Sequence, residues 1–248
     1  MDNQNYYKPK PAVLISTSRS GSTFLLNALD SHYQIGCERS EPLNHKTGPW
    51  RDVEIDRHQL MNALWSRPGY RVSMFKLSYR QAGWVGLKTI KKRRALIIHL
   101  HRENVVRVIA SSMINTMAVA GKLNHPTHSF TTPKPVKVAV DVAKFMNECR
   151  KYQGKVAGMV RDLDALDMPV KYLTYEDLIG YEGNEVEEVQ TKTANSICDF
   201  LEVNRFPLFS ETKRINPQPL GEIVENWREL RAALVNNGLG QWCEDDAA

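Results

Sequence analysis

The sequence predicts a single α/β domain in which helices flank both faces of a central, mainly parallel sheet. Short apolar runs recur along the chain, and most of them lead into a helical pattern. Strands that alternate with helices pair in parallel through right-handed crossovers, and this gives a layered sheet. The length of 248 residues suits one such domain, because α/β domains of roughly 200 to 250 residues are common.

Four apolar runs are the candidate strands. Each is short and largely apolar, which is typical of a strand buried on both faces of a parallel sheet. Ligands of such sheets usually bind beyond the carboxyl ends of the strands, so the turns after the four runs are where a functional site is expected. The runs are 12–16, 70–77, 95–101 and 170–174.

Helical patterns follow or separate the candidate strands. The polar, proline-containing stretch 118–135 is expected to be a loop or lid inside the domain. Residues 1–11 read as a polar leader, so the domain is expected to span 12–248. Helices are predicted at 24–29, 104–117, 136–161 and 222–234, with another beginning near 175.

The composition is that of an ordinary globular protein, and its charge suits an anionic ligand. Hydrophobic residues make up 42% and charged residues 25% of the chain, which argues against a disordered, collagenous or coiled-coil protein. The net charge of +5 suits an anionic ligand but is too small to indicate nucleic-acid binding. The basic stretch 88–94 is interpreted as the end of a helix, where cations complement the helix dipole.

The cysteine and histidine patterns indicate neither a metal site nor a disulfide framework. The four cysteines lie far apart in the sequence, which is typical of reduced thiols in the cytoplasm. His125 and His128 have no carboxylate or cysteine beside them, so no metal is expected there. No apolar run approaches the roughly 18 residues of a membrane span, and residues 1–11 lack the apolar core of a signal peptide, so a soluble protein that is not exported is expected.

The turn after the first strand, residues 17–23, has the chemistry of a phosphate-binding loop. It combines Arg19 and Gly21 with the hydroxyls of Ser18, Ser20, Ser22 and Thr23, between a buried strand and a helix start. Helix N-terminal amides attract an anion, and a glycine lets the backbone approach it closely. The Walker pattern Gly-Lys-Ser/Thr is absent, which excludes an ordinary ATPase loop. A hydroxyl-capped helix start is the alternative interpretation.

A second basic turn follows the third strand. Arg102 ends this strand, and Ser111 follows nine residues later on the next helix, one turn after Arg107. Ser111 can share an anion with Arg102 only if the chain folds back at the turn. Taken alone, Arg102 is equally well interpreted as half of a surface ion pair.

These two turns resemble those of the sulfotransferases that use 3′-phosphoadenosine 5′-phosphosulfate. The segment LISTSRSGSTFLLNAL is similar to their 5′-phosphosulfate loop, in which Lys or Arg precedes Ser-Gly-Ser/Thr-Thr. The resemblance implies the sulfotransferase variant of the P-loop kinase-like fold. It further implies that the 5′-phosphosulfate is bound by Arg19, Ser20, Gly21, Ser22 and Thr23, with a backbone amide from Phe24.

The same resemblance extends to the second turn and to two later segments. The family holds the 3′-phosphate with an Arg at a strand end and a Ser eight or nine residues later, which implies this role for Arg102 and Ser111. LTYEDL at 173–178 looks like a family sequence in which the tyrosine, here Tyr175, stacks on adenine. The closing segment 215–234 resembles the family's last helix.

Candidate catalytic residues come from the same comparison. Lys76 matches the lysine of the Lys-Thr-His segment in cytosolic sulfotransferases, but Ser78 stands where that branch has its catalytic histidine. Bacterial and carbohydrate-modifying branches use a Glu, often followed by Pro, which implies Glu41 as the base. Arg19 and Lys76 would neutralise the leaving group, so no metal is required. His45 is the alternative base, and Glu41 could instead be a solvated loop carboxylate.

The expected function is transfer of a sulfuryl group from 3′-phosphoadenosine 5′-phosphosulfate to a hydroxyl of a small metabolite, glycan or glycolipid. The product would be adenosine 3′,5′-bisphosphate. Two alternatives stay open: a nucleotide-dependent small-molecule kinase of similar fold, and a non-catalytic protein that keeps the fold to bind a sulfated ligand. The segments 41–65 and 118–135 are expected to shape the acceptor pocket.

Overall fold

Five parallel strands form one sheet in the order β2-β3-β1-β4-β5. This is seen in a computed structural model that describes residues 8–39, 41–43, 56–120, 137–179, 188–212 and 218–243. The predicted α/β class and parallel pairing are confirmed. The strands are β1 Lys10–Ser16, β2 Ile35–Glu38, β3 Val72–Ser78, β4 Leu96–His101 and β5 Val170–Thr174.

Helices cover both faces of the sheet. Within the described residues no helix is both long and apolar enough to cross a membrane. The helices are α1 Ser22–Asp30, α2 Arg57–Leu64, α3 Tyr79–Val85, α4 Leu87–Arg93, α5 Val105–Val119, α6 Val142–Asp164, α7 Tyr175–Ile179, α8 Thr191–Leu201, α9 Leu220–Ile223 and α10 Trp227–Asn236, followed by a 3₁₀ turn at Gly240–Cys243.

Alternate residues of the central strands face opposite layers of the molecule. On β1, Ala12 and Leu14 pack with α1 and α8, whereas Val13 and Ile15 pack with α2, α3, α4 and the end of α6. A further apolar cluster joins α5, α6, α9 and α10. β1, β3 and β4 are buried along most of their length, as expected for strands covered on both faces, whereas β5 at the edge of the sheet is mostly half-buried or exposed.

Two predicted helices are shorter than expected, and both differences have one cause. The helix predicted at 222–234 is split between α9 and α10, and the helix predicted at 136–161 begins only at Val142. Backbone hydrogen bonds join the two segments: Val138 N donates to Ile223 O at 2.9 Å, and Glu225 N donates to Val138 O at 3.0 Å. These bonds between distant segments replace the helical ones that local propensity favours.

The boundaries of several elements also differ from the prediction. β1 begins at Lys10, inside the predicted leader, and β2 was not predicted at all. The sequence of β2, Ile-Gly-Cys-Glu, is too short to show a strand pattern, and it contains Gly36, a residue type that is uncommon in strands. Pairing with β3 and the ring of Tyr70 against Gly36 hold it in place. Of the predicted loop at 118–135, α5 covers the first two positions, and residues 121–135 lie outside the described residues.

His99 is a fully buried residue of β4 and lies at the centre of a stack of three polar rings. Its Nε2 is 2.5 Å from the hydroxyl of Tyr79, and its ring stacks between those of Tyr79 and His101. Burial lowers the pKa of His99 to about 4, the neighbouring His101 acts in the same direction, and Asp164 opposes them. The pKa of His101 is lowered as well, chiefly by burial.

We therefore expect the protein to lose stability as the pH falls from about 6.5 towards 4. In this window the unfolded chain binds a proton at His99 that the folded chain does not, which costs up to about 3 kcal/mol by pH 4. Urea denaturation at several pH values should show a shallower pH dependence for His99→Gln than for the wild type. His58→Gln, an exposed position on α2, is the control; equal slopes for His99→Gln and the wild type would contradict the assignment.

Candidate functional site

The predicted site residues gather at one edge of the sheet. Arg19 follows β1, Arg102 follows β4 and Tyr175 follows β5, while Lys76 lies near the end of β3. Parallel strands bring their carboxyl ends to the same edge, and the register places Leu14 of β1 beside Lys76. The turns that the sequence singled out are therefore neighbours in space.

The turn after β1 has a backbone that needs glycine at one position. Arg19 and Gly21 both adopt positive φ angles, 64° and 80°. A Cβ on Gly21 would lie 2.3 Å from Cδ2 of Tyr175, which no folded structure accommodates without movement. The hydroxyl of Ser20 is fully buried and donates to Thr17 O at 2.8 Å. The loop is thus a fixed turn packed against Tyr175.

The start of α1 presents backbone amides towards the site. Gly21 is its N-cap, and among the described residues no side chain caps this helix, so the hydroxyl-capped alternative is not what the structure shows. The amides of Thr23 and Phe24 are those that a cap would otherwise bind. A phosphate or sulfate oxygen fits such a set of donors. Side chains cap α2, α3, α5 and α6, whereas α4, α8, α9 and α10 resemble α1 in having no side-chain cap.

Arg19 joins the two predicted anion sites. Its Nε donates to Ser111 Oγ at 2.9 Å, so the direct partner of Ser111 is Arg19 rather than Arg102. The pKa of Arg19 is lowered by burial and, to a smaller extent, by the positive charge of Arg102. Two guanidinium groups therefore share a partly buried space, where like charges repel more strongly than in water. An anion between them would relieve this repulsion.

Arg102 is held by two residues of the segment that follows β5. Its guanidinium carbon lies 4.5 Å from the ring centroid of Tyr175, within the range of a cation–π contact. Its Nε is 3.7 Å from Glu176 Oε1. Since Tyr175 also contacts Gly21, one ring packs against both predicted anion sites.

The second helix start, at α5, differs from the first. The amides of Glu103 and Asn104 donate to the carboxylate of Glu176 at 3.0 and 3.2 Å. The side chain of Asn104 accepts from Arg107 N at 3.0 Å. Because a carboxylate already accepts from these two amides, we expect side chains to contribute more than these amides to the binding of a second anion. Glu176 was not among the predicted site residues, although an acidic residue directly after Tyr175 was a visible signal.

Lys76 and Glu41 form an ion pair on the other side of the loop. Lys76 Nζ is 3.0 Å from Glu41 Oε1; the lysine is almost completely buried, and the side chain of Glu41 is 38% exposed. Ser78 accepts from Gln81 N at 3.3 Å and caps α3, so its hydroxyl has a structural role.

The remaining candidates lie elsewhere or are not described. Arg107 is buried, and its Nη1 donates to Gln218 O at 2.5 Å, which ties α5 to the segment before α9. His45, His125 and His128 lie outside the described residues. In the described part of the chain, no group of three or more potential ligands could hold a metal ion. The basic stretch 88–94 was predicted to end a helix; it forms nearly all of the short helix α4, with Lys91, Lys92 and Arg93 in its last turn.

The fold is similar to that of known sulfotransferases. No protein-family model and no curated protein matches the chain. A solved sulfotransferase from Alicyclobacillus acidocaldarius matches with a TM-score of 0.50 and 16% identity, over 95% of this chain and 94% of that one. The predicted sulfotransferase variant of the α/β fold is thereby confirmed. The mouse sulfotransferase SULT7A1, complexed with PAP, matches with a TM-score of 0.44 and 16% identity, over 79% of this chain and 59% of that one.

Gly21→Ala should destabilise the protein measurably. The added Cβ meets the ring of Tyr175 in a backbone conformation that L-residues rarely adopt, so we expect a loss of at least about 1 to 2 kcal/mol in the free energy of unfolding. Urea denaturation measures it. The control is Gly83→Ala, where a Cβ meets nothing within 4 Å and a helical alanine should stabilise by about 0.5 to 1 kcal/mol. Equal stability of the two variants would contradict this account of the loop.

Proposed function

We propose that the protein transfers a sulfuryl group from 3′-phosphoadenosine 5′-phosphosulfate to a hydroxyl of an acceptor. One observation supports this more than any other: Arg19 bonds to Ser111 and lies beside Arg102, with the uncapped start of α1 next to them. The proposed donor carries anionic groups at both its 5′ and 3′ positions. Two adjoining basic sites at a sheet edge suit such a ligand.

The two sites would recognise the donor in different ways. At the start of α1, backbone amides from Ser20 to Phe24 and the guanidinium of Arg19 would bind the 5′-phosphosulfate. At the start of α5, Glu176 occupies the amides, so Arg102 and Ser111 would bind the 3′-phosphate through their side chains. The stacking of adenine on Tyr175 stays a prediction, since the ring already contacts Gly21 and Arg102.

Glu41 and Lys76 are the residues that we propose for the chemical step. The donor supplies a sulfuryl group linked to its 5′-phosphate through a bridging oxygen. Glu41 takes the proton of the acceptor hydroxyl, whose oxygen forms a bond to sulfur as the bond from sulfur to the bridging oxygen breaks. Lys76 and Arg19 neutralise the charge that the departing phosphate gains, so the scheme needs no metal.

The proposal differs from its alternatives in nucleotide preference. A kinase would need a group to neutralise the β- and γ-phosphates of ATP, and the Walker lysine is missing from the loop. A non-catalytic binding protein would keep the anion sites but would have no use for the buried Lys76 and its Glu41 partner. The acceptor class and a cytoplasmic location stay predictions from the sequence.

Isothermal titration calorimetry in EDTA should show binding of adenosine 3′,5′-bisphosphate without magnesium. Arg102→Gln should weaken this binding by about 10-fold to 100-fold, because a hydrogen bond to a charged group is lost. Arg205→Gln is the control, since Arg205 is exposed and paired with Asp199 away from the loop. Binding of ATP with magnesium, and no binding of the bisphosphate, would favour the kinase.

Glu41→Gln should reduce turnover by about 100-fold or more while affinity for adenosine 3′,5′-bisphosphate stays within about twofold. The measurement is transfer of label from sulfur-labelled donor to acceptors in a cell extract. Glu148→Gln is the matched control, because Glu148 also pairs with a lysine, Lys151, but on the exposed face of α6. Normal turnover of Glu41→Gln would remove Glu41 from the mechanism. A wild-type protein that binds donor but labels nothing would favour the binding protein.

A further inference from the structure

The hydroxyl of Tyr152 connects the two turns that carry the predicted anion sites. Tyr152 lies on α6 and is 8% exposed. Its hydroxyl accepts from Arg102 N at 3.0 Å and donates to Arg102 O at 3.1 Å. It also accepts from Thr17 Oγ1 at 3.3 Å. One phenol oxygen thus contacts the first residue after β1 and the first residue after β4.

The hydroxyl has a function that packing alone does not require. The ring of Tyr152 belongs to an apolar cluster with α5 and α10, which a phenylalanine would fill equally well. Burial raises the pKa of Tyr152, so the phenol stays protonated and able to donate. A buried hydroxyl is expected to have partners, and here all of them belong to the turns of the site.

Backbone pairing between the strands does not fix the spacing of these turns. The ladder between β1 and β4 ends with Ser16 opposite Leu100, so Thr17 and Arg102 both lie beyond it. Thr17 is part of the rigid loop, because its carbonyl accepts from the Ser20 hydroxyl at 2.8 Å. A shift of Thr17 relative to Arg102 would therefore move one anion site relative to the other.

We propose that Tyr152 is a positioning residue that sets the distance between the 5′ and 3′ anion sites. It thereby favours nucleotides that carry phosphate at both positions over those that carry only a 5′-phosphate. The inference rests on the proposed function, since it assumes that one nucleotide occupies both sites. Tyr152 acts through Thr17 and Arg102 and need not contact the nucleotide itself.

The test compares adenosine 3′,5′-bisphosphate with adenosine 5′-monophosphate by calorimetry in EDTA. In Tyr152→Phe, the affinity for the bisphosphate should fall about fivefold to tenfold, as expected for the loss of one or two hydrogen bonds. The affinity for the monophosphate should change less than about twofold, because it does not use the second site. The ratio of the two affinities is the readout, and a general loss of stability would leave this ratio unchanged.

Two further variants serve as controls. Tyr172→Phe removes another hydroxyl on this sheet, the one that bonds to Asp164, and both affinities should stay at their wild-type values. Thr17→Val removes a partner of Tyr152 while keeping the phenol, and it should lower the affinity ratio in the same direction but less. The double variant Tyr152→Phe/Thr17→Val should lose no more than Tyr152→Phe alone, since both changes break the same connection.

The outcomes separate the inference from the function on which it rests. If the wild type prefers the bisphosphate and Tyr152→Phe keeps that preference, Tyr152 has no positioning role and the proposed function stands. Additive losses in the double variant would also overturn the positioning role. If the wild type shows no preference for the bisphosphate, the proposed function fails, and the inference fails with it. Should Tyr152→Phe not fold, the affinity ratio of Thr17→Val decides, and an unchanged ratio there overturns the inference.

Discussion

The meeting of two guanidinium groups at one edge of the sheet is the interaction on which the rest of this site depends. Arg19 and Arg102 come from different strand ends, and the pKa of Arg19 is lowered by burial and, to a smaller extent, by the charge of Arg102. Like charges in a partly buried site are unfavourable unless other groups compensate them. The protein supplies part of that compensation through the Tyr175 ring and the Glu176 carboxylate. In the proposed function the anionic donor would add to this compensation, so ligand binding and stability should be coupled here.

The two helix starts at this edge show how similar turns acquire different chemistry. The start of α1 lacks a side-chain cap, whereas Asn104 caps α5 and Glu176 accepts from the two amides that precede this helix. The first site can therefore offer an anion backbone amides and the helix dipole, and at the second site we expect side chains to contribute more. Side-chain substitutions should consequently weaken anion binding more at the second site than at the first. Binding at the first site depends in large part on the backbone conformation that Gly21 permits.

The strand order explains how the proposed reaction could be arranged in space. The loop after β1 lies in the middle of the sheet, with β3 and β2 on one side and β4 and β5 on the other. Lys76 and Glu41 belong to the first side, whereas Arg102 and Tyr175 belong to the second. In the proposed reaction the acceptor and its base would thus approach one end of the donor, and the 3′-phosphate would be held at the other. Tyr152 connects the middle of this arrangement to the second side.

The α/β class, four of the five described strands and the turns of the candidate site could all be predicted from the sequence. These features are local: a buried strand, a tight turn and a helix start within about 20 residues leave a readable pattern. Tertiary structure decided the rest, because the groups concerned lie far apart in the chain. Arg19 meets Ser111 across 92 positions, and Thr17 meets Tyr152 across 135. The break before α10 likewise depends on the distant segment at Val138. Such contacts follow from strand register and helix packing, which no local pattern encodes.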